Sequence, residues 1–429
     1  MLARRVIAYG LVIQFLSVFF IVTAQAAPAS KRSGALTLAR ALQLAAASNP
    51  RMGIAGRDIG IAAGHRLQSG AYPNPEVGLE LDNAAGSGNY RGLRSAETTL
   101  QISQLIELGG KRDARVAASS AGLQAAHWQR AAVRLEILSD TAVAFYSVLA
   151  AQRRISIYDT HIAALERLTP LLQRRVEAGA SSPAEVARAR VAVDFVRADR
   201  EKARTVLAVA RLELATLMGR KAADFPYVVG NLTPHGRPPS FQTIQQALDS
   251  NPQLAKFNAL RAQRDAELLL ERLKPVPDLR AGVAWRHYRD TNDNAVRFGV
   301  SIPLPVWDQN LGNIAAARET RAKVDAEQAV ARATLLLTLG RAYQTLSGVS
   351  REIAVLHSSA VPNIRSAVEG MESGYAQGRY TLLELLDVQS SAAEAAVREL
   401  EAQLTFYTSL ATIEGLTGMP LRLAGERSR

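Results

Sequence analysis

Apolar positions change their period twice in each half of this chain. From Leu36 to Ser48, and again from Pro50 to Gln68, they recur at helical spacing until Gly70 and the Pro73/Pro75 pair forbid continuation. Alternation follows: Val77, Leu79 and Leu81 against Glu76, Gly78 and Glu80, then Leu100 and Ile102 against Thr99, Gln101 and Ser103. This period of two predicts strands over 75–82 and 97–104. Later, Ala281, Val283 and Trp285 alternate with Arg280, Gly282 and Arg286, and Val296, Phe298, Val300 and Ile302 with Arg297, Gly299 and Ser301. Strands are expected there over 278–287 and 295–303. Each has one apolar and one polar face. Long helical tracts come next, Lys111 to Ala178 and Ile314 to Gln377, each long enough to run roughly 100 Å at the α-helical rise. A shorter helix follows each of them, Pro183 to Met218 and Thr381 to Leu416. Ala, Leu, Arg, Glu and Gln dominate these tracts, which favours helix and close lateral packing. Pro170 and Pro362 are expected to kink or break two of them.

The same landmarks occur twice in the same order. Asn49-Pro50 recurs as Asn251-Pro252, Pro73-Asn74-Pro75 as Pro275-Val276-Pro277, Tyr146 as Tyr343, and Leu217-Met218-Gly219 as Leu416-Thr417-Gly418. The offset stays near about two hundred residues, so the chain reads as one duplicated, elongated unit and not as two or three separate domains. The expected organisation is a leader over 1–26, a first repeat over 27–220, a linker over 221–243, a second repeat over 244–420 and a tail over 421–429.

Four strands cannot close a barrel, and a hairpin that is apolar on one face and charged on the other needs partners to remove its edges. An isolated pair could lie on a soluble core. With two pairs, three copies of the chain would supply about twelve strands and leave a water-filled lumen. The polar loops Asp82 to Ser95 and His287 to Asn294 would then lie outside the cell, with the helices in the periplasm.

The N-terminus agrees with export. Arg4 and Arg5 precede an apolar run from Val6 to Val22, and Ala24-Gln25-Ala26 offers a small-residue cleavage signal, which predicts a signal peptide cut after Ala26 and not a membrane anchor. The formal net charge is +12, but the arginines are interspersed with glutamates along the helices, as on a solvated surface, and nucleic acid is not an expected partner. The absence of cysteine excludes disulfides, thiolate metal sites and a lipidated N-terminal cysteine. Histidines such as His127, His161 and His357 stand apart from one another without ligand spacing. No nucleophile elbow, zinc-protease helix or phosphate loop is present, so no enzyme and no cofactor are expected.

The turns between long and shorter helices carry capping chemistry. Gly179 suits a left-handed C-terminal position, Ser181 or Ser182 an N-cap and Pro183 a first helical turn; Gly378 and Thr381 repeat the arrangement. The tips are placed near 179–183 and 378–381.

With the duplication, the Asn-Pro and Pro-x-Pro landmarks and the paired segments Arg175-Val176-x-x-Gly179 to Glu185-Val186 and Tyr375-x-x-Gly378 to Glu384-Leu385, the chain resembles the TolC-like outer-membrane efflux proteins over essentially its whole mature length. The resemblance implies a mainly α fold with a membrane β-barrel: a homotrimer in which twelve strands sit in outer-membrane lipid on an α-helical periplasmic tunnel. It also implies two partners, a periplasmic adaptor protein docking at the tips and an inner-membrane, proton-driven transporter of the resistance-nodulation-division type. The adaptor surface then falls on Arg175, Gly179, Ser182, Pro183, Glu185, Tyr375, Gly378 and Thr381. The segments Leu105 to Arg112 and Ile302 to Asn310 look like the cobalt-zinc-cadmium resistance branch, which implies divalent heavy-metal cations as cargo. Nothing in the residues themselves points to a metal.

Glu384 and Asp387 lie three residues apart, on one helical face just past the second tip. Three-fold repetition would turn them into acidic rings that concentrate cations at a periplasmic gate, with Arg379 and Tyr380 holding the tip closed through hydrogen bonds to neighbouring helices. The family often has aspartate where Glu384 stands. An ordinary solvated acidic face would show the same two residues. The same architecture also suits a channel for drugs or type I secretion, and a soluble periplasmic coiled-coil scaffold would use the strands merely as caps.

Overall fold

A computed structural model describes residues 34–234 and 238–420; the expected signal peptide and C-terminal tail lie outside the described residues. The chain opens with β1 (Leu36–Thr37), α1 (Leu38–Ser48) and α2 (Pro50–Ser69), followed by β2 (Glu76–Asp82) and β3 (Glu97–Ile106). Then come α3 (Lys111–Glu177) and α4 (Pro183–Leu217). After β4 (Val228–Val229) and α5 (Phe241–Ala247), the order repeats with α6 (Pro252–Leu273), β5 (Leu279–Tyr288), β6 (Asp293–Ser301), α7 (Leu311–Val355), α8 (Val361–Ala376) and α9 (Leu382–Thr417).

Four strands form one antiparallel sheet in the order β2-β3-β5-β6. Its register aligns Val77, Ile102, Val283 and Phe298 in one row across the sheet, and Leu79, Leu100, Trp285 and Val296 in the next. All eight side chains are exposed, Phe298 at 82%. The opposite face is polar and internally paired. Arg286 reaches Glu97 at 2.7 Å and Thr99 at 2.9 Å, Gln101 donates to Glu80 at 3.2 Å, and Arg280 pairs with Glu76. An apolar surface left open while the opposite face carries ion pairs is the reverse of a sheet packed on a water-soluble core. Among the described residues, no helix is long and apolar enough to cross a membrane.

The helices run side by side away from one end of this sheet. α3 packs against α2, α4, α6 and α9, and α9 against α7 and α8, which leaves α4 and α7 at the flanks. At 67 residues α3 spans roughly 100 Å. Its buried Ala118, Ala125 and Ala132 recur at heptad spacing and let neighbouring backbones approach closely. Among the described residues, four clusters of buried residues hold the bundle, the smallest of them joining Ala150, Leu232 and Leu400. Of the other three, one joins Phe145, Leu214, Met218, Phe225 and Val228; a second joins Leu248, Leu339, Leu346, Phe406 and Ile413. The third lies at the tips.

The two Asn-Pro landmarks do the same work twice. The Asn49 carboxamide accepts from Arg51 N at 2.9 Å, starting α2, and donates to Leu217 O at 2.8 Å, closing α4. Asn251 does so with Gln253 N and Leu416 O, both at 2.6 Å. Gly219, at φ +73°, lies against Ser48, where an added Cβ would stand 2.1 Å from the carbonyl oxygen.

Several local expectations change. Leu36 and Thr37 leave the predicted first helix to pair in parallel with Val228 and Val229, a ladder reinforced by Gln152, whose carboxamide exchanges two hydrogen bonds with Val228. α3 runs through Pro170 unbroken, flanked by buried Leu165, Leu168 and Leu172. The second long tract stays helical but widens locally. Residues Leu356–Ala360 form a π-helical turn between α7 and α8, immediately before Pro362, which offers no N–H to continue an α ladder. β6 stops at Ser301, two residues before Pro303.

Outward-facing apolar residues remain on the flanking helices. Val191, Phe195, Val206, Val209 and Leu212 fall on one face of α4, with Phe195 71% exposed, and Val330, Leu337 and Val355 on one face of α7.

Candidate functional site

The far ends of the helices form two adjacent hairpin tips. In the first, Gly179 takes φ +70°, its N–H bonds Val176 O at 3.0 Å and the Ala180 N–H bonds Arg175 O at 2.8 Å, which satisfies the last carbonyls of α3. Ser182 caps α4 by accepting from Ala184 N, and Pro183 fills its first turn. The second tip repeats this: Gly378 sits at φ +74°, and the Arg379 N–H bonds Gly374 O at 2.9 Å. Thr381 then begins α9 with a reciprocal cap, its hydroxyl accepting from Glu384 N while the Glu384 carboxylate accepts from Thr381 N at 2.8 Å.

The fold brings the two tips together. The Arg175 guanidinium lies over the Tyr375 ring, 5.1 Å from its centroid, and donates to Tyr375 O at 3.3 Å. Leu168, Leu172, Ala189 and Val193 of the first hairpin bury with Tyr375, Leu382 and Leu385 of the second. Burial pushes the Tyr375 phenol above its ordinary value; the Arg175 charge opposes this and Glu185 adds to it. Glu185 itself receives the Ser181 hydroxyl.

Glu384 and Asp387 are both exposed on α9. The Glu384 carboxyl is held below its usual range, first by the Thr381 backbone N–H and then by the Thr381 hydroxyl, so it is ionised near neutral pH. Arg379 and Tyr380 are not brought onto these carboxylates. The Tyr380 ring instead lies over Gly374, where an added Cβ would come within 2.4 Å of two ring carbons. That role for Gly374 was missed in the sequence, as was the link from Gln389 to Glu372 at 2.7 Å. Neither has a local signature, since each depends on how α8 and α9 meet.

His127 and His357 are exposed, while His161 is half-buried beside α9. Among the described residues, no three His, Cys, Asp or Glu side chains are grouped so as to hold a metal ion.

A paired-hairpin unit of this kind, with its open sheet, has known counterparts. The sequence model of the outer membrane efflux protein family matches residues 41–220 and 243–419. The chain belongs to the outer membrane efflux protein family. It is 29% identical over 422 residues to the cobalt-zinc-cadmium resistance protein CzcC of Cupriavidus metallidurans, covering 97% of this chain and 99% of that one. To the outer membrane protein TolC of Escherichia coli it is 23% identical, over 91% of this chain and 83% of TolC. A solved structure of CusC, described in connection with transmembrane channel formation, superimposes with a TM-score of 0.76 at 15% identity, covering 89% of this chain and 91% of that one. These relatives are named for efflux, resistance or the outer membrane and not for a catalysed reaction. As an outer membrane efflux protein the chain belongs at the outer membrane, with its long helices running away from one end of the sheet.

Proposed function

We propose that this efflux protein is the exit duct of a tripartite resistance-nodulation-division pump that carries divalent heavy-metal cations, such as cobalt, zinc or cadmium, across the outer membrane. The observation that carries the channel reading is the four-stranded sheet, whose apolar rows are exposed, whose opposite face carries ion pairs and whose β2 and β6 edges have no strand partner among the described residues. In lipid such edges must be closed, because an unmet N–H or C=O costs several kcal/mol there. Three copies joined β6 to β2 supply about twelve strands, and the apolar stripes on α4 and α7 support the same head-to-tail closure below the membrane. The metal cargo is supported by the full-length likeness to a cobalt-zinc-cadmium resistance protein.

Within this reading the paired tips dock a periplasmic adaptor through Arg175, Gly179, Ser182, Pro183, Glu185, Tyr375, Gly378 and Thr381. Glu384, held by the Thr381 cap, and Asp387 form acidic rings at the entrance, and Arg379 and Tyr380 hold the tip closed through hydrogen bonds to neighbouring helices. Replacing both carboxylates with alanine should lower cation selectivity in single-channel recordings, and unchanged selectivity and conductance would remove the gate assignment.

The deciding test is the metal tolerance of a deletion strain, with zinc, cobalt, cadmium, nickel and copper set beside a panel of drugs and detergents. Selective metal sensitivity with metal accumulating in the cell is the expected result. Sensitivity to organic compounds alone would keep the channel and move its cargo to the drug or secretion alternative.

A further inference from the structure

On the polar face of the sheet, Arg280 pairs with Glu76 and Arg286 with Glu97. Arg297 shares that face but sits on the edge strand β6, exposed and with no ion-pair partner among the described residues. The other edge strand is acidic on the same face, where β2 presents Glu76, Glu80 and Asp82 at even positions. Asp82 is the least engaged of the carboxylates that meet arginine there. Its side chain is 49% exposed, and Arg286, which holds Glu97 at 2.7 Å, approaches it only to 3.6 Å. A basic edge and an acidic edge lie on opposite sides of one copy, so they can meet only between copies.

We infer that Arg297 pairs with Asp82 of the next copy and so selects the register in which β6 closes on β2, staggered by four residues. The partner is a second copy of this chain, and the inference rests on the barrel closure proposed above. Within the chain the register is set by the ladders already described. At the seam it is open. A slip of one residue would turn every apolar side chain inward, but a slip of two keeps each face as it is, so the apolar rows cannot choose between registers of the same parity. Barrel geometry narrows the choice: strands tilted by about 35–45° and spaced by roughly 4.8 Å require a stagger of about 13 to 19 Å over four strands, or about four to six residues. In a level strip Arg297 shares a row with Gly78. Four residues further along β2 is Asp82, which brings the unpaired guanidinium opposite the half-exposed carboxylate. The same stagger in the other direction leaves no more than Asp293 to Ala295 facing β2. Because stagger, tilt and diameter are linked, this one pair between copies bears on the bore of the duct.

The chain has no cysteine, so a disulfide between two introduced cysteines reports a single contact. Two full-length proteins are compared in detergent under mild oxidation. One carries Gly299→Cys with Glu80→Cys, which face each other in the four-residue stagger; the other carries Gly299→Cys with Glu76→Cys, which share a row in the level strip. Gly299 and the β2 residues lie on opposite edges of one sheet, so either disulfide must join two copies. An added side chain at Gly299 meets open space. The first pair should give covalently linked dimers and trimers on a non-reducing gel, and the second should stay as single chains. Adding Arg297→Glu to the first pair should lower its linked yield about five-fold, while Arg297→Lys should largely keep it. Linking through Glu76→Cys in place of Glu80→Cys would overturn the stagger, and a yield unmoved by Arg297→Glu would overturn the ion pair that selects it. If neither pair links while the protein sediments as a trimer, this register falls and the assembly stands. If the unsubstituted protein sediments as a single copy, the closure proposed above falls instead, which separates the two failures.

Discussion

At the junction between sheet and helices the Lys111 ammonium is almost removed from water, with the residue 8% exposed, and donates to Val276 O at 2.5 Å and Asp278 Oδ1 at 2.8 Å. The same carboxylate oxygen accepts from Leu108 N at 3.0 Å, so one aspartate fixes the end of β3, the start of α3 and the start of β5. Asp278→Ala leaves a buried cation without its counter-charge and should cost about 3 kcal/mol, read as a lower denaturation midpoint of the helical signal in detergent. The double variant Lys111→Met with Asp278→Leu should recover much of that loss, since no unpaired charge remains. His161 offers a contrasting case. Its ring borders a cleft of about 770 Å³ between α3, α4, α7 and α9, which also holds Asp199, Glu352, Glu394, Arg398 and Glu401, and its Nε2 is buried without a hydrogen-bond partner. Burial holds its pKa below the ordinary 6.5. The unfolded chain therefore binds the proton more readily than the folded one. Stability is full above the unfolded value and falls as pH drops below it. Between about pH 7 and pH 5 the denaturation midpoint should fall more steeply in the native chain than in His161→Gln.

Helix ends were the most legible elements, because their determinants are local. Gly179, Ser182, Pro183, Gly378 and Thr381 announce the two tips by residue type alone, and each takes the backbone conformation or cap its chemistry favours. The Asn-Pro pairs were readable as landmarks but not as bonds, since the carboxamide of each reaches a carbonyl far along the chain. Asn251→Ala removes the cap of α6 and leaves Leu416 O unmet, and it should cost about 2 kcal/mol, measured as a shift in unfolding midpoint. Asn49→Ala should match it, and a difference between them would show that the two junctions bear unequal load. Other features stayed hidden for the same physical reason. The β1–β4 ladder pairs two-residue strands from distant parts of the chain, too short to carry a period. The widened turn before Pro362 is where the helix absorbs a missing donor, which a proline announces without locating. At the candidate site, the Thr381-x-x-Glu384 spacing carries a capping box as well as a candidate gate carboxylate, and one exposed side chain serves both readings. The Arg175–Tyr375 contact was invisible because nothing local joins residues in different repeats.

One copy of the chain is a strip, not a tube. Among the described residues its sheet has two unpaired edges, and its helical layer ends at α4 on one side and α7 on the other. Both flanks expose apolar side chains that elsewhere in the bundle are buried between helices, as Val193 and Leu335 are on the inner faces of the same two elements. On α4 the exposed residues Val191, Phe195, Val206, Val209 and Leu212 fall on a single face at the α-helical rotation, which is the pattern of a packing seam. A head-to-tail seam between different faces can close into a ring, whereas a self-complementary one would stop at two copies. Phe195→Glu places a charge in the middle of the α4 stripe without touching the buried face that holds α4 to α3. The variant should keep its helical content while sedimenting in detergent as smaller species than the native assembly. Val330→Glu on α7 should do the same from the other side. In the proposed closure one seam joins the two flanks, so combining the substitutions should add little to either alone; fully additive losses would mean that α4 and α7 meet different partners.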